Sequence, residues 1–198
     1  MTHDTIFRVV LIVVVAIVLP VGLYHRIKSE ATREKLDRRQ EGVFILATLR
    51  PIGILLLLSV ISYMVNPRLM MWSSLSLPPW LRWLGVVIAF GAAGLLTWTF
   101  RSIGTNITDT VVTRHHHVLV THGPYQWVRH PFYGCVGLFV LGIGVMAANW
   151  FILLAGAVLC SLFVVRTRKE EENLVARFGD DYRGYMERTG RFFPRRRS

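Results

Sequence analysis

Arg129-His130-Pro131 joins a guanidinium and an imidazole to a proline at the start of an apolar run. Proline is at home in the first turn of a helix, where its missing N–H costs nothing. An Arg and a His beside such an N-terminus favour an anionic group there. Tyr125 and Tyr133 flank the triplet and add aromatic surface and hydroxyls. A flat, polar, partly anionic cofactor suits that set of groups; a cationic interfacial anchor with a helix-starting proline suits it as well. A second set, Arg166 and Glu170, is spaced four apart and shares one helix face. Taken alone, that pair is an exposed ion pair worth about half a kcal/mol. The run Glu170-Glu171-Glu172 alone reads as a solvated face.

Other candidates are weaker. The run His115-His116-His117 invites a metal, but adjacent residues converge poorly on one ion, and no Cys or carboxylate cluster has ligand spacing. No metal is expected. Cys135 and Cys160 sit inside apolar runs, so neither a disulfide framework nor a thiolate site is expected. Arg50 lies within an apolar run, about seven residues from its basic end. An Arg at such depth is costly and marks a functional site by default, or it snorkels to the headgroups; both readings stand.

These residues need elements to hold them, and composition says which. Hydrophobic residues make up 53% and charged residues 18% of 198, with a mean hydropathy of +0.43. Soluble domains carry roughly 25% charged residues, so the composition argues against a soluble protein, and it rules out a disordered one. Apolar stretches at about 6–24, 43–65 and 81–100 each suit one crossing of a bilayer. The stretch 132–165 is too long for one crossing, which takes about 20 residues, and Asn149 offers a turn within it. The expectation is an all-α integral membrane protein of about five spans, the last two a tight hairpin at 132–148 and 151–165. The first stretch exceeds a signal-peptide core and no cleavage site follows it, so it reads as a retained span.

The net charge of +11 is not spread evenly. Segments 25–42, 101–130 and 166–198 hold 19 of the 23 Lys and Arg residues. With five spans, the positive-inside bias puts the N-terminus outside and all three basic segments in the cytoplasm. Attraction to anionic membrane lipid accounts for the basicity, and no nucleic-acid partner is implied. The segments 101–133 and 166–194 flank the hairpin, so topology alone brings them to one membrane face. The second reads as a helix leaving the bilayer, with Leu174, Phe178 and Tyr182 on one face and Gly179 as a break.

The ordered motifs Val118-Leu-Val-Thr-His-Gly-Pro-Tyr125, Val128-Arg-His-Pro-Phe-Tyr133, Arg166-x3-Glu170-Glu171-x2-Leu174 and Gly190-Arg-Phe-Phe-Pro194, split around an apolar hairpin, resemble the isoprenylcysteine carboxyl methyltransferase family, which includes related phospholipid methyltransferases. The resemblance covers about residues 101–194. It implies an S-adenosylmethionine-dependent methyltransferase acting on a lipidic or lipidated acceptor from the bilayer. It divides the chain into three N-terminal spans with a basic loop (1–100) and a methyltransferase core (101–198). Carried over by motif, His117, Val118, Leu119, Val120 and Tyr125 line the cofactor's adenosine. His130, Pro131, Phe132 and Tyr133 lie beneath it, and the Glu170-Glu171 pair holds a polar or cationic part of it. Arg166 holds the acceptor carboxylate, Arg129 is a second candidate for that task, and Arg50 is a candidate substrate contact. Ile107, where relatives often carry an aromatic residue, and Cys135, where several carry bulkier ones, bear on the acceptor more than on the cofactor.

Three rival readings stand beside this one. A phospholipid N-methyltransferase has less need of Arg166. A membrane NADPH-dependent reductase shares an Arg-His-Pro-x-Tyr element but usually follows it with Gly-Glu, where this chain has Gly134-Cys135. A membrane scaffold or transporter subunit calls for polar residues along the spans, and these are nearly bare.

Overall fold

The structure is a computed structural model and describes residues 3–30, 43–104 and 119–195. Its elements are six helices: α1 (His3–Glu30), α2 (Val43–Val65), α3 (Pro79–Ile103), α4 (Pro131–Ala147), α5 (Trp150–Phe178) and α6 (Asp180–Arg188). Two 3-10 segments, Pro67–Ser73 and Gly123–Gln126, complete the described secondary structure. The all-α expectation holds. Four helices, α1, α2, α3 and α5, are long and apolar enough to cross a membrane, and α4 is a shorter apolar helix. At 1.5 Å per residue its 17 residues extend roughly 26 Å, a little less than a hydrocarbon core. Apolar side chains such as Val87, Leu58 and Ile54 stand exposed on the outside of the bundle, as lipid-facing surface requires.

α3 packs along α4 through glycine. A Cβ at Gly85 would lie 2.6 Å from the Met146 amide nitrogen, and one at Gly142 would lie 2.6 Å from that of Ala89. Only hydrogen fits at both positions, which lets the two backbones approach as small residues do in membrane bundles. Phe7, Leu11 and Val14 of α1 are buried with Val140, Ile143 and Met146 of α4.

The hairpin forms where Asn149 places it. Ala148 adopts a left-handed conformation (φ 50°), and the Asn149 side chain caps α5 by accepting from the Ile152 amide at 3.1 Å. Its amide nitrogen also donates to Met70 O (3.2 Å) and Ser73 Oγ (2.8 Å). The 67–75 segment thereby seals the turn, and Leu75 N donates to Ala148 O at 2.7 Å.

At this same end Arg82 is buried and holds four neighbours. It donates to Met146 O (2.9 Å), Asp4 (2.7 Å) and Tyr63 Oη (3.2 Å), and its guanidinium lies 4.0 Å over the Phe7 ring. Arg8 donates to Met64 O and Val65 O, both at 2.6 Å. The N-terminal helix is thus fixed by charge as well as by its apolar face. The hairpin turn lies at this end, so its entry and exit meet at the other.

Candidate functional site

The entry to α4 is a loop made rigid by one glycine and by the C-terminal segment. Gly123 has φ +61°, and a Cβ there would meet Ser102 Oγ at 2.2 Å, so the loop sits directly on the end of α3. Trp127 packs edge-on to Trp98 at 5.7 Å. Residues 127–130 then pair with 190–191 like two short parallel strands. Arg129 N donates to Gly190 O (2.9 Å), His130 N to Arg191 O (3.1 Å) and Gly190 N to Trp127 O (3.2 Å). These bonds satisfy backbone groups ahead of the helix at Pro131.

α5 continues past its apolar part as one helix to Phe178, so the expected helix leaving the bilayer is an extension of the last span. Gly179 (φ +55°) ends it and turns the chain into α6. α6 folds back: Tyr182 and Tyr185 are buried, and Tyr185 Oη donates to Tyr125 O at 2.5 Å. Burial pushes the Tyr185 phenol up to about 12.

Between these walls lie the two neighbouring glutamates. Glu171 is buried, contrary to the solvated-face reading. Its Oε1 accepts from Arg129 Nε at 2.9 Å and lies 3.3 Å from His130 Nε2, and its Oε2 accepts from Arg191. Arg129 also donates to Met186 O, at 3.0 Å, and to Thr189 O. Its guanidinium is therefore occupied by the protein, as a tie between the α4 entry, α5 and the C-terminal segment.

Glu170 faces the other way. Its Oε2 accepts from Tyr133 Oη at 2.8 Å and lies 3.9 Å from His130 Nδ1, and its side chain stays 26% exposed. Tyr133 is stacked between His130 (5.8 Å, 12°) and Phe163 (4.5 Å, 22°). Arg166, one turn before Glu170, is half-buried and close enough for its charge to act on the Tyr133 hydroxyl. The geometry thus gathers Tyr125, His130, Tyr133, Arg166, Glu170 and Glu171.

Pro131 is buried at the first turn of α4, and Phe132 packs on Phe100 of α3 at 5.5 Å. Leu119 and Val120 are half-buried just ahead of the 3-10 turn, while His117 and Val118 lie outside the described residues. Arg50 is exposed on α2. Among the described residues no group of three His, Cys, Asp or Glu is placed to hold a metal ion; the His115–His117 run and Ile107 lie outside them. Sequence reasoning missed Phe163, Tyr185 and Arg191. Arg191 and Phe192 belong to the closing Gly190–Pro194 motif, the one signal that pointed to them.

Fold and site together define a multi-pass helical membrane protein with a polar, aromatic-walled cluster at one end of its bundle. Residues 83–176 match the model of the isoprenylcysteine carboxyl methyltransferase (ICMT) family, and the family resemblance carried by the motifs holds. The structure is similar to that of the eukaryotic intramembrane Ras methyltransferase ICMT, with a TM-score of 0.51 at 20% identity, covering 87% of this chain and 62% of that one. At that identity the likeness establishes the fold. Among curated proteins, the chain is 41% identical over 81 residues to Protein-S-isoprenylcysteine O-methyltransferase of Schizosaccharomyces pombe, covering 39% of this chain and 34% of the relative. To the Homo sapiens protein of that name it is 32% identical over 128 residues, 62% of this chain and 44% of the relative. To the cobalt-zinc-cadmium resistance protein CzcN of Cupriavidus metallidurans it is 34% identical over 82 residues, 41% of this chain and 38% of the relative. The chain spans between about a third and somewhat under half the length of these relatives.

Proposed function

We propose that this chain is an S-adenosylmethionine-dependent methyltransferase acting on a lipidic acceptor at the membrane boundary, with a carboxylate as the methylated group. One observation carries the reading: Tyr133 and Glu170, 37 residues apart, meet at 2.8 Å with Arg166 one helical turn away. A partly exposed carboxylate, stacked aromatic rings and a nearby guanidinium then line one place at the end of the hairpin.

That donor set fits the cofactor. Glu170 keeps acceptor capacity beyond its bond to Tyr133 and suits an amino group or hydroxyls. Leu119, Val120 and Tyr125, with His117 and Val118 ahead of them, are the proposed adenosine wall. His130, Pro131, Phe132 and Tyr133 form the floor. When bound, the cofactor supplies a methyl group on a positively charged sulfur, open to in-line displacement.

The chain's own residues have a limited task. A carboxylate is already ionised at neutral pH, so no general base is needed. Arg166 orients it through two parallel hydrogen bonds, which a guanidinium offers and an ammonium does not. Holding the reactants in line is worth roughly 7–11 kcal/mol. The surrounding aromatic rings exclude water that would otherwise solvate the carboxylate. Arg129 and Glu171, bonded to each other, act in this reading by positioning His130. Arg50 is a secondary candidate for contact with the acceptor. Residues 101–198 form the reacting part, and 1–100 anchors it. The distribution of Lys and Arg supports an N-terminus outside and a cytoplasmic site.

The test is incubation of purified protein with methyl-labelled S-adenosylmethionine and native lipid extract. Label in a lipid fraction that mild alkali releases as methanol supports a methyl ester. Alkali-stable label on an amine lipid supports the N-methyltransferase reading, and no transfer to any lipid overturns the proposal.

A further inference from the structure

A groove of about 400 Å³ runs between α1 and α3, lined by none of the residues of the Glu170 cluster and within the roughly 300–1,000 Å³ range of ligand clefts. Ile17, Phe90, Ala93, Gly94, Thr97 and Trp98 line it. The only side-chain hydroxyl among these six, that of Thr97, donates to Ala93 O at 2.9 Å, so it is spent on its own helix. A Cβ placed on Gly94 would meet nothing within 4 Å. The floor is therefore apolar and unfilled, and the groove opens on the bundle's lipid-facing side, where Ile17 and Trp98 stand exposed.

Its end is cationic. Arg101 lines the groove one turn beyond Thr97 and is exposed. The charges of Arg101 and Lys28 both act on His25, whose ring stacks on Phe100 at 5.6 Å. His25 Nδ1 is buried without a hydrogen-bond partner among the described residues. An apolar trough that ends at the exposed Arg101, with the Lys28 charge acting on the same neighbouring ring, is complementary to a hydrocarbon chain carrying an anionic headgroup. Each Lys or Arg near the surface attracts acidic lipid by about 1 kcal/mol.

We propose that the α1–α3 groove is a binding site for an acidic phospholipid of the surrounding bilayer, its chain along Ala93 and Gly94 and its phosphate at Arg101 and Lys28. The bound lipid braces the site loop from outside, because Trp98 carries Trp127 and Ser102 carries Gly123. This site is separate from the acceptor site and stands whether or not the methyl-transfer reading does.

The test is thermal melting of the full chain in neutral detergent, with added dioleoyl phosphatidylglycerol or dioleoyl phosphatidylcholine. No methyl donor is present, so the result is independent of catalysis. Phosphatidylglycerol raises the midpoint by several degrees and phosphatidylcholine does not. The double variant Lys28→Gln/Arg101→Gln loses that shift. Gly94→Leu fills the groove, melts no lower than the parent in detergent alone, since leucine favours helix over glycine, and also loses the shift. Equal shifts from the two lipids, or an undiminished shift in both variants, overturn the proposal.

Discussion

The carboxylate of Glu171 lies 2.9 Å from the guanidinium of Arg129, 42 residues earlier in the chain. Arg191 and His130 share the same carboxylate. Three segments that the sequence keeps apart are tied at this point: the entry to α4, the extension of α5 and the C-terminal strand-like stretch. The neighbouring Glu170 takes no part in the tie and is turned to Tyr133.

Breaking the tie costs stability. Arg129→Ala leaves the buried Glu171 carboxylate short of a partner and frees the carbonyls of Met186 and Thr189. Loss of one member of a buried ion pair costs about 3–5 kcal/mol. The expected result is a drop of that size in chemical denaturation, with early protease cleavage after α5. Because Arg191 and His130 keep hold of Glu171, a value near the lower end is expected. Arg129→Ala melting like the parent would contradict the assignment.

Arg166 and Glu170 separate by readout. Arg166→Ala lowers turnover by at least tenfold while cofactor affinity changes little. Glu170→Gln weakens cofactor binding by about tenfold, the loss of roughly 1.4 kcal/mol expected for one hydrogen bond to a charged group. Calorimetric titration with the cofactor, alongside methyl transfer, checks both. Arg166→Ala turning over at the parent rate removes it from the site.

The α3–α4 contact tolerates no methyl group. Gly85→Ala or Gly142→Ala sets a Cβ 2.6 Å from a backbone nitrogen of the facing helix, and the helices must separate. Overpacking of this kind costs about 1–3 kcal/mol. Gly91→Ala, on the same helix with nothing within 4 Å, is the control, and it should melt at or above the parent.

Alkaline pH loosens α6 through Tyr185. Its phenol is held up to about 12 by burial, against about 10 in an unfolded chain. The folded state keeps a proton that the unfolded state has released, so stability is intact below pH 10 and falls as the pH rises towards 12. Tyr185→Phe gives up the bond to Tyr125 O but has no phenol to ionise there. Its deficit relative to the parent shrinks across that window in alkaline melting curves, whereas a constant deficit would show that the Tyr185 phenol does not titrate differently on folding.

Much of this architecture was readable from residue order. Span length against bilayer thickness required a fold-back within 132–165, and Asn149 supplies both its turn and its cap, since a short side-chain oxygen can satisfy the free amides of a new helix. The fold-back in turn required the two polar segments to meet. What only the tertiary structure decided is how adjacent residues divide their work. Glu170 and Glu171 are chemically identical, and Arg129 and Arg166 offer the same guanidinium. Helix phase, with about 100° between successive residues, turns Glu171 inward to Arg129 and leaves Glu170 at Tyr133. The packing of α6 and the pairing of 190–191 with 127–130 come from contacts about 60 residues apart, which no local periodicity encodes.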